Sequence, residues 1–394
     1  MSDPVVSAPV SDLPSLAALP AGIRSREVAG VNGLTMHVLE AGFEEPRRPC
    51  VLLLHGFPEL AYSWRKVMPA LAAAGYHVVA PDQRGYGLTR GGDVGHDVDL
   101  RAFGMLALVR DALALVWALG HRRVHAVVGH DFGSPVAAWC ALSRPDVFRA
   151  VVLMSAPFAG APELPFDTAD APAAVSPGTT LHDELAALAR PRQHYQRYYT
   201  TRQANADMWH CPQGVHDFLR AYYHYKSADW TGNRPHPLAA ATPSELARLP
   251  TYYVMDRGWD MARTVAAQMP TPAQVSACSW LPDDELRVYS QAYGRTGFQG
   301  GLQWYRSAAD PRCLTELQLF SGRTIDVPSM FVAGRSDWGV YQKPGDFEAM
   351  QARSCTCLSG CHWVDGAGHW VQQEQPAAVS ALLLAFLASP STAP

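Results

Sequence analysis

The sequence predicts an α/β protein, an open and mostly parallel sheet flanked by helices and interrupted by a long, mainly helical insertion. Three observations carry that expectation. Short continuous apolar runs at Cys50–Leu54 and at residues 124–128, 150–154 and 329–333 read as strands buried on both faces, with helix-compatible segments between them. The alternation breaks from about residue 160 to residue 326, where Pro, Tyr, Trp, Met and helical stretches dominate. The break also follows the C-terminal end of a strand, the edge at which open α/β sheets bind ligands.

Taken in order, residues 1–24 are rich in Pro, Ala, Ser and Val and read as a loosely ordered arm. It does not read as a secretory signal, because Asp3 and Asp12 stand where basic residues would, and Pro4, Pro9, Pro14 and Pro20 interrupt the apolar block. A cytoplasmic protein is expected. Residues 25–31 and 34–39 form a hairpin turning at Asn32-Gly33. Cys50–Leu54 ends in His55-Gly56-Phe57-Pro58, a helix follows over residues 63–74, and the strand at 77–80 ends in Pro81-Asp82-Gln83-Arg84-Gly85-Tyr86-Gly87. Apolar residues at helical spacing predict a helix over 103–119. Strand 124–128 runs into Gly129-His130-Asp131-Phe132-Gly133 and then a helix over 135–142. Beyond the insertion come strands at 329–333 and 361–364, with helices at 345–353 and Pro376–Leu387. The chain therefore reads as one core in two parts, 25–159 and 327–394, with residues 160–326 inserted as a lid.

Composition narrows the function classes. At 394 residues the chain can bury a large core, and 48% hydrophobic against 17% charged residues suits one. The balance of 32 basic and 36 acidic residues gives a formal charge of −4 and no basic run, which disfavours nucleic acid and anionic membrane as partners. No apolar stretch is long enough to span a bilayer. Cys355, Cys357, Cys361 and His362 resemble a metal cluster, but the spacing lacks a paired C-x-x-C; ordinary thiols are the preferred reading, with no metal and no cofactor expected.

The chemistry converges on Asp131. Strand, sharp turn and helix surround a G-x-D-x-G pattern, which pushes the central residue out above the sheet. The pentapeptide alone leaves two readings open, a helix N-cap or a nucleophile. A carboxylate there attacks esters poorly but displaces a leaving group from a tetrahedral carbon well. A covalent intermediate must then be hydrolysed, which requires a base and an acid residue to orient it. His369 lies in Gly366-Ala367-Gly368-His369-Trp370, after the last buried strand. Asp337 follows the preceding strand in Gly334-Arg335-Ser336-Asp337, and Asp365 is the rival orienting acid. The backbone N–H groups of Phe57 and Phe132 are the natural oxyanion donors. His130, inside the turn, reads as structural.

The segments HGFPE at 55–59, DQRGYG at 82–87, GHDFG at 129–133 and GAGHW at 366–370 resemble the epoxide hydrolases of the α/β-hydrolase fold, over most of the chain beyond the arm. The resemblance implies two lid tyrosines on the epoxide oxygen. They match Tyr195 in His194-Tyr195-Gln196 and Tyr305 in Trp304-Tyr305-Arg306; the many other lid tyrosines read as packing. It also implies a small-molecule epoxide and water as the reaction partners. One departure stands out: Phe132 occupies the position where the family usually has Trp. Related haloalkane dehalogenases use that indole to bind halide and carry Asn where Phe57 stands; fluoroacetate dehalogenases carry Arg after the nucleophile. A dehalogenase using the same Asp131, and a catalytically silent small-molecule receptor, remain the alternatives. Met255, Trp259, Met261, Met269 and Trp280 suggest an apolar chamber with few charges near the two tyrosines, hence apolar or aromatic epoxides.

Overall fold

A computed structural model describes residues 19–164 and 180–389; the first eighteen residues of the expected arm lie outside the described residues. The strands are β1 (Ile23–Val31), β2 (Leu34–Ala41), β3 (Cys50–Leu54), β4 (His77–Pro81), β5 (Ala126–His130), β6 (Val151–Met154), β7 (Arg192–His194), β8 (Val254–Asp256), β9 (Ser329–Gly334) and β10 (Leu358–Val364). Eight form one sheet in the order β1-β2-β4-β3-β5-β6-β9-β10, parallel from β4 to β10 and antiparallel at the β1–β2–β4 end. The remaining pair, β7 and β8, is antiparallel and lies within the insertion.

Continuous apolar runs become buried strands because both faces of the sheet are covered. Leu52, Leu54, Val127, Leu153 and Phe331 point into one core. Their neighbours Val51, Leu53, Val128, Val152, Met330 and Val332 point into the other, beneath the helices Met68–Ala73 and Pro376–Leu387. The hairpin turn forms at Asn32-Gly33, both with positive φ.

Several boundaries differ from the sequence expectation. The helix expected over 63–74 divides into a short 3₁₀ turn at Ala61–Trp64 and a helix at Met68–Ala73 that begins with Pro69 near its N-terminus, where a missing N–H costs nothing. Gly104 likewise separates a turn at Leu100–Phe103 from the helix Met105–Ala118. The central strand is shifted two residues towards the turn: Val124 makes only an isolated bridge to Phe148, and Gly129 and His130 belong to β5.

Chain order reverses between β3 and β5, which pair from Val51–Ala126 to Leu54–Gly129. Loops leaving these two strands therefore diverge around a crevice at their C-terminal ends. The insertion covers that crevice. Its helix Gln299–Ala308 docks on the Asp82–Gly87 loop: the Trp304 indole donates to the Arg84 carbonyl (3.0 Å), and a Cβ on Gly300 would lie 2.0 Å from the Gly85 carbonyl oxygen. Two backbones meet where neither can carry a side chain. The loop itself is braced from the core. The Asp82 carboxylate accepts from Ala61 N–H (2.9 Å) and Leu88 N–H (3.0 Å) and contacts His37 Nδ1 (2.8 Å). Arg84 makes a two-point ion pair with Asp111 (2.6 and 2.7 Å).

Candidate active site

The turn after β5 is strained in the way a presented side chain requires. Asp131 has φ of 52°, in the left-handed region that non-glycine residues enter at a cost. The turn closes so tightly that a Cβ on Gly129 would lie 2.0 Å from the Gly133 carbonyl oxygen, and one on Gly133 would lie 2.3 Å from that of Leu54. The two glycines let the backbone double back. The helix Gly133–Ser143 begins without a side-chain cap, so the cap reading of Asp131 does not hold. Its carboxylate instead faces the crevice. Oδ1 accepts from the Phe57 N–H (2.9 Å), and Oδ2 lies 3.1 Å from His369 Nε2.

His369 Nδ1 lies 3.1 Å from Asp337 Oδ1, so the three side chains form one continuous relay. Asp337 also accepts from the Gly339 N–H (2.7 Å), capping the short turn Trp338–Val340. One carboxylate makes both contacts. Asp365 is exposed and pairs with Arg335, away from His369. Burial opposes charge on both Asp131 and Asp337, yet both carboxyls lie below the ordinary range. For Asp131 the opposing pull comes from His369, Lys226 and His130; for Asp337 it comes chiefly from His369.

A cavity of about 460 Å³ opens over Asp131, with Phe132, Tyr195 and Tyr305 in its wall. The two phenol rings stand edge to face, 5.9 Å between centroids. The Tyr195 hydroxyl donates to Gln342 Oε1 (3.2 Å) and receives from Gln196 Nε2 (3.3 Å). Burial pushes both phenols well up, so they remain neutral donors. The Phe57 N–H is already aimed at Asp131; the Phe132 N–H has no acceptor among the described residues.

The expected apolar chamber needs correction. Met255 and Met261 are buried in the cap's own core, Trp259 and Trp280 are half-buried, Met269 is exposed, and none of the five lines the cavity. These residues pack the cap against itself. The lining near Asp131 is apolar through Met105, Phe132, Pro135 and Phe158, but His182, Arg197, Lys343 and Asp346 also line the cavity, so charges do lie near the tyrosines. Among the described residues no three His, Cys, Asp or Glu side chains converge as a metal site.

Three buried groups went unrecognised in the sequence. Glu59 bonds His130 Nδ1 (2.6 Å), the Gly56 N–H (3.1 Å) and Gln372 Nε2 (2.9 Å), while His130 Nε2 donates to the His369 carbonyl (2.7 Å). Glu374 accepts from the N–H groups of Ala228 (2.8 Å), Gly368 (2.9 Å) and Trp370 (2.9 Å), holding the His369 loop against the cap; burial pushes its carboxyl up to about 8 while those amides pull the other way. Lys226 is buried and carries the carbonyl that accepts the His369 N–H (2.9 Å). The only signal for Glu59 was its presence inside the HGFPE segment, whereas His130 holds the structural place expected of it. For Lys226 and Glu374 there was none.

Residues 49–376 match the alpha/beta hydrolase fold family. The chain is 34% identical to epoxide hydrolase A of Mycobacterium tuberculosis, over 93% of this chain and 98% of that protein. It is 31% identical to an epoxide hydrolase of Caballeronia sordidicola, over 93% and 94%. Among solved structures, an epoxide hydrolase from an endophytic Streptomyces superposes with a TM-score of 0.72 at 33% identity, covering 93% of this chain and 96% of that one. Potato (Solanum tuberosum) epoxide hydrolase I gives 0.69 at 30%, covering 93% and 99%. The fold and the relay thus define an α/β hydrolase. More narrowly, the chain belongs to the epoxide hydrolases of that fold.

The Glu59–His130 pair makes stability depend on pH. Burial opposes both charges, but mutual attraction leaves Glu59 lowered and His130 raised. A lowered carboxyl contributes stability above its unfolded value, near ~4.3, and loses it as pH falls through the folded value. A raised imidazole contributes fully below its unfolded value, near ~6.5, and loses it as pH rises through the folded one. The stability of wild type over Glu59→Gln should therefore be greatest between ~4.3 and ~6.5, on the order of 2 kcal/mol, and shrink on both sides. Denaturant titrations across pH check this; a constant difference would mean the pair is not ionised.

Proposed function

We propose that the enzyme opens epoxides bearing an uncharged, apolar substituent, through an ester on Asp131 that water then hydrolyses. The observation that carries this reading is the cavity lined together by the Asp131 carboxylate and the Tyr195 and Tyr305 phenols, with His369 behind Asp131. Asp131 Oδ2, the oxygen not held by Phe57, attacks a ring carbon. The C–O bond breaks, its electron pair passes to the epoxide oxygen, and the two phenols donate to the developing alkoxide. His369 Nε2 then takes a proton from water, the hydroxide adds to Asp131 Cγ, and the oxyanion forms at Oδ1, where the Phe57 N–H already points. Collapse of that adduct expels the second diol oxygen, which takes the proton held by His369. The proton of the added hydroxyl replaces the one the phenols gave to the epoxide oxygen, and the carboxylate is restored. Asp337 steadies the imidazolium that forms during this second step. The segment 160–326 serves as the cap that supplies both phenols and closes the cavity.

If Asp131 is the nucleophile and His369 only the later base, His369→Ala should accumulate the ester, seen as an intact-protein mass gain equal to the epoxide. In oxygen-18 water, repeated wild-type turnover should put label into Asp131. Label passing straight to the diol with Asp131 unlabelled would refute the covalent path.

Shared stabilisation by the phenols predicts that Tyr195→Phe or Tyr305→Phe slows alkylation ~100-fold, or about 3 kcal/mol, and that the double variant nearly abolishes it. Hydrolysis of ester already formed should change little. Rapid-quench measurement of the two steps separates these effects, and wild-type alkylation by the double variant would remove the phenols from the mechanism.

The apolar wall beside Asp131 supports this substrate class. Carboxylates attached to the ring carbons would have to enter beside the Asp131 charge, at a cost of several kcal/mol. Styrene oxide should therefore show a higher kcat/KM than epoxysuccinate. The reverse order would move substrate binding towards Arg197 and Lys343, and halide release from bromoalkanes without diol formation from styrene oxide would favour the dehalogenase alternative.

A further inference from the structure

Lys226 ends the helix Gly214–Lys226 with its side chain turned into the protein, only 3% exposed. Its ammonium makes no ion pair within 4.0 Å among the described residues. It lies instead among four aromatic rings: Tyr253 at 5.0 Å, Trp370 at 5.3 Å, Tyr222 at 5.4 Å and Tyr252 at 5.8 Å. Ring faces hold a cation without neutralising it, so its field reaches past the cage. Two walls of the cage touch the reacting side chains. The Trp370 ring packs edge-on against His369 (4.6 Å), and the Tyr253 ring packs against Tyr195 (5.4 Å). Burial lowers the Lys226 ammonium, and Asp131, Asp337 and Glu59 oppose that fall.

Resting on the two-step reading above, we infer that Lys226 is a positioning residue whose buried charge keeps His369 unprotonated, and so able to act as base, once Asp131 has become an ester. Before alkylation the buried carboxylates of Asp131, Asp337 and Glu59 face the cations Lys226 and His130. Alkylation removes the Asp131 charge. Asp337 and Glu59 are then matched by Lys226 and His130, so a proton on His369 leaves an uncompensated buried positive charge. Without Lys226 the same ester state carries one excess negative charge and attracts that proton. The remaining groups facing the cage do not supply the missing charge: the phenols of Tyr222, Tyr252 and Tyr253 are raised and neutral, His224 on the same helix is lowered by burial, and Glu374 is pushed up to about 8. Asp229, just beyond the helix, accepts from the Trp280 indole (2.8 Å).

The test is the pH dependence of ester hydrolysis in single turnovers with styrene oxide, read by rapid quench and intact mass in full-length wild type, Lys226→Met and Lys226→Arg. Lys226→Met should move the acid limb of hydrolysis up by on the order of one pH unit, leaving the rate on the high-pH plateau within about threefold of wild type. Lys226→Arg should keep the wild-type limb. An unmoved limb in Lys226→Met, or equal loss at every pH in both variants, overturns the inference. Should Lys226→Met not fold, Lys226→Gln is read in the same way. Wild type run in parallel separates the two claims: absence of any ester there refutes the two-step reading, whereas an ester with an unmoved variant limb refutes only the role of Lys226.

Discussion

Keeping a carboxylate charged inside a nearly closed protein is the constraint on which the rest of this structure depends. Asp131 is 7% exposed, and burying an isolated carboxylate costs several kcal/mol. A protonated Asp131 would be inert as a nucleophile. Tight pairing with an arginine would keep the charge but blunt it, so the charge is instead compensated by diffuse means. These are one backbone N–H from Phe57, an imidazole at 3.1 Å, and the more distant cations of His130 and Lys226. None of them covers the side of the carboxylate that lines the cavity.

That arrangement needs parts from both the core and the cap. Asp131, Asp337 and His369 follow β5, β9 and β10, so the parallel sheet alone sets their spacing. Tyr195, Tyr305 and Lys226 come from the insertion, and each is tied to the core by a different contact. Tyr305 rides the helix that meets the Asp82–Gly87 loop at Gly85 and Gly300. Tyr195 is held through Gln342, which follows β9. Lys226 is held through its own carbonyl, to which the His369 amide donates. The DQRGYG segment therefore acts at a distance, as the platform on which a phenol is set.

Much of this was legible in the sequence, for reasons that can be named. Strands buried on both faces must be apolar throughout, so Cys50–Leu54 could be bounded to the residue. The sharp turn at Asp131 needs glycines at fixed spacing, and His369 sits in a glycine-rich loop after a terminal strand; both leave marks in the local chain. Asp337 was harder because a cap and an orienting acid look alike in sequence, and here one carboxylate contacts both the Gly339 N–H and His369. The choice of Tyr195 and Tyr305 among fifteen tyrosines rested on resemblance alone, since phenols packed in a cap and phenols facing a cavity share the same helical spacing. Helix ends blurred where Pro69 and Gly104 interrupt an otherwise helical pattern.

What stayed hidden shares one physical cause: long-range charge compensation has no local pattern. Lys226 sits in a run of tyrosines that reads as an ordinary amphipathic helix, and its partners in the electrostatic balance lie 95 or more residues away along the chain. The cavity wall failed in the same way. Met255 and Met261 have the composition of a substrate chamber but are buried away from the cavity, whereas Arg197 and Lys343 remain exposed and still line it. Hydrophobicity tells which residues leave water; it does not tell whether they leave it for a neighbouring side chain or for a ligand. The direction each residue faces is fixed by the folded cap, in which β7 pairs with β8, so the lining of the cavity left no mark in the local sequence.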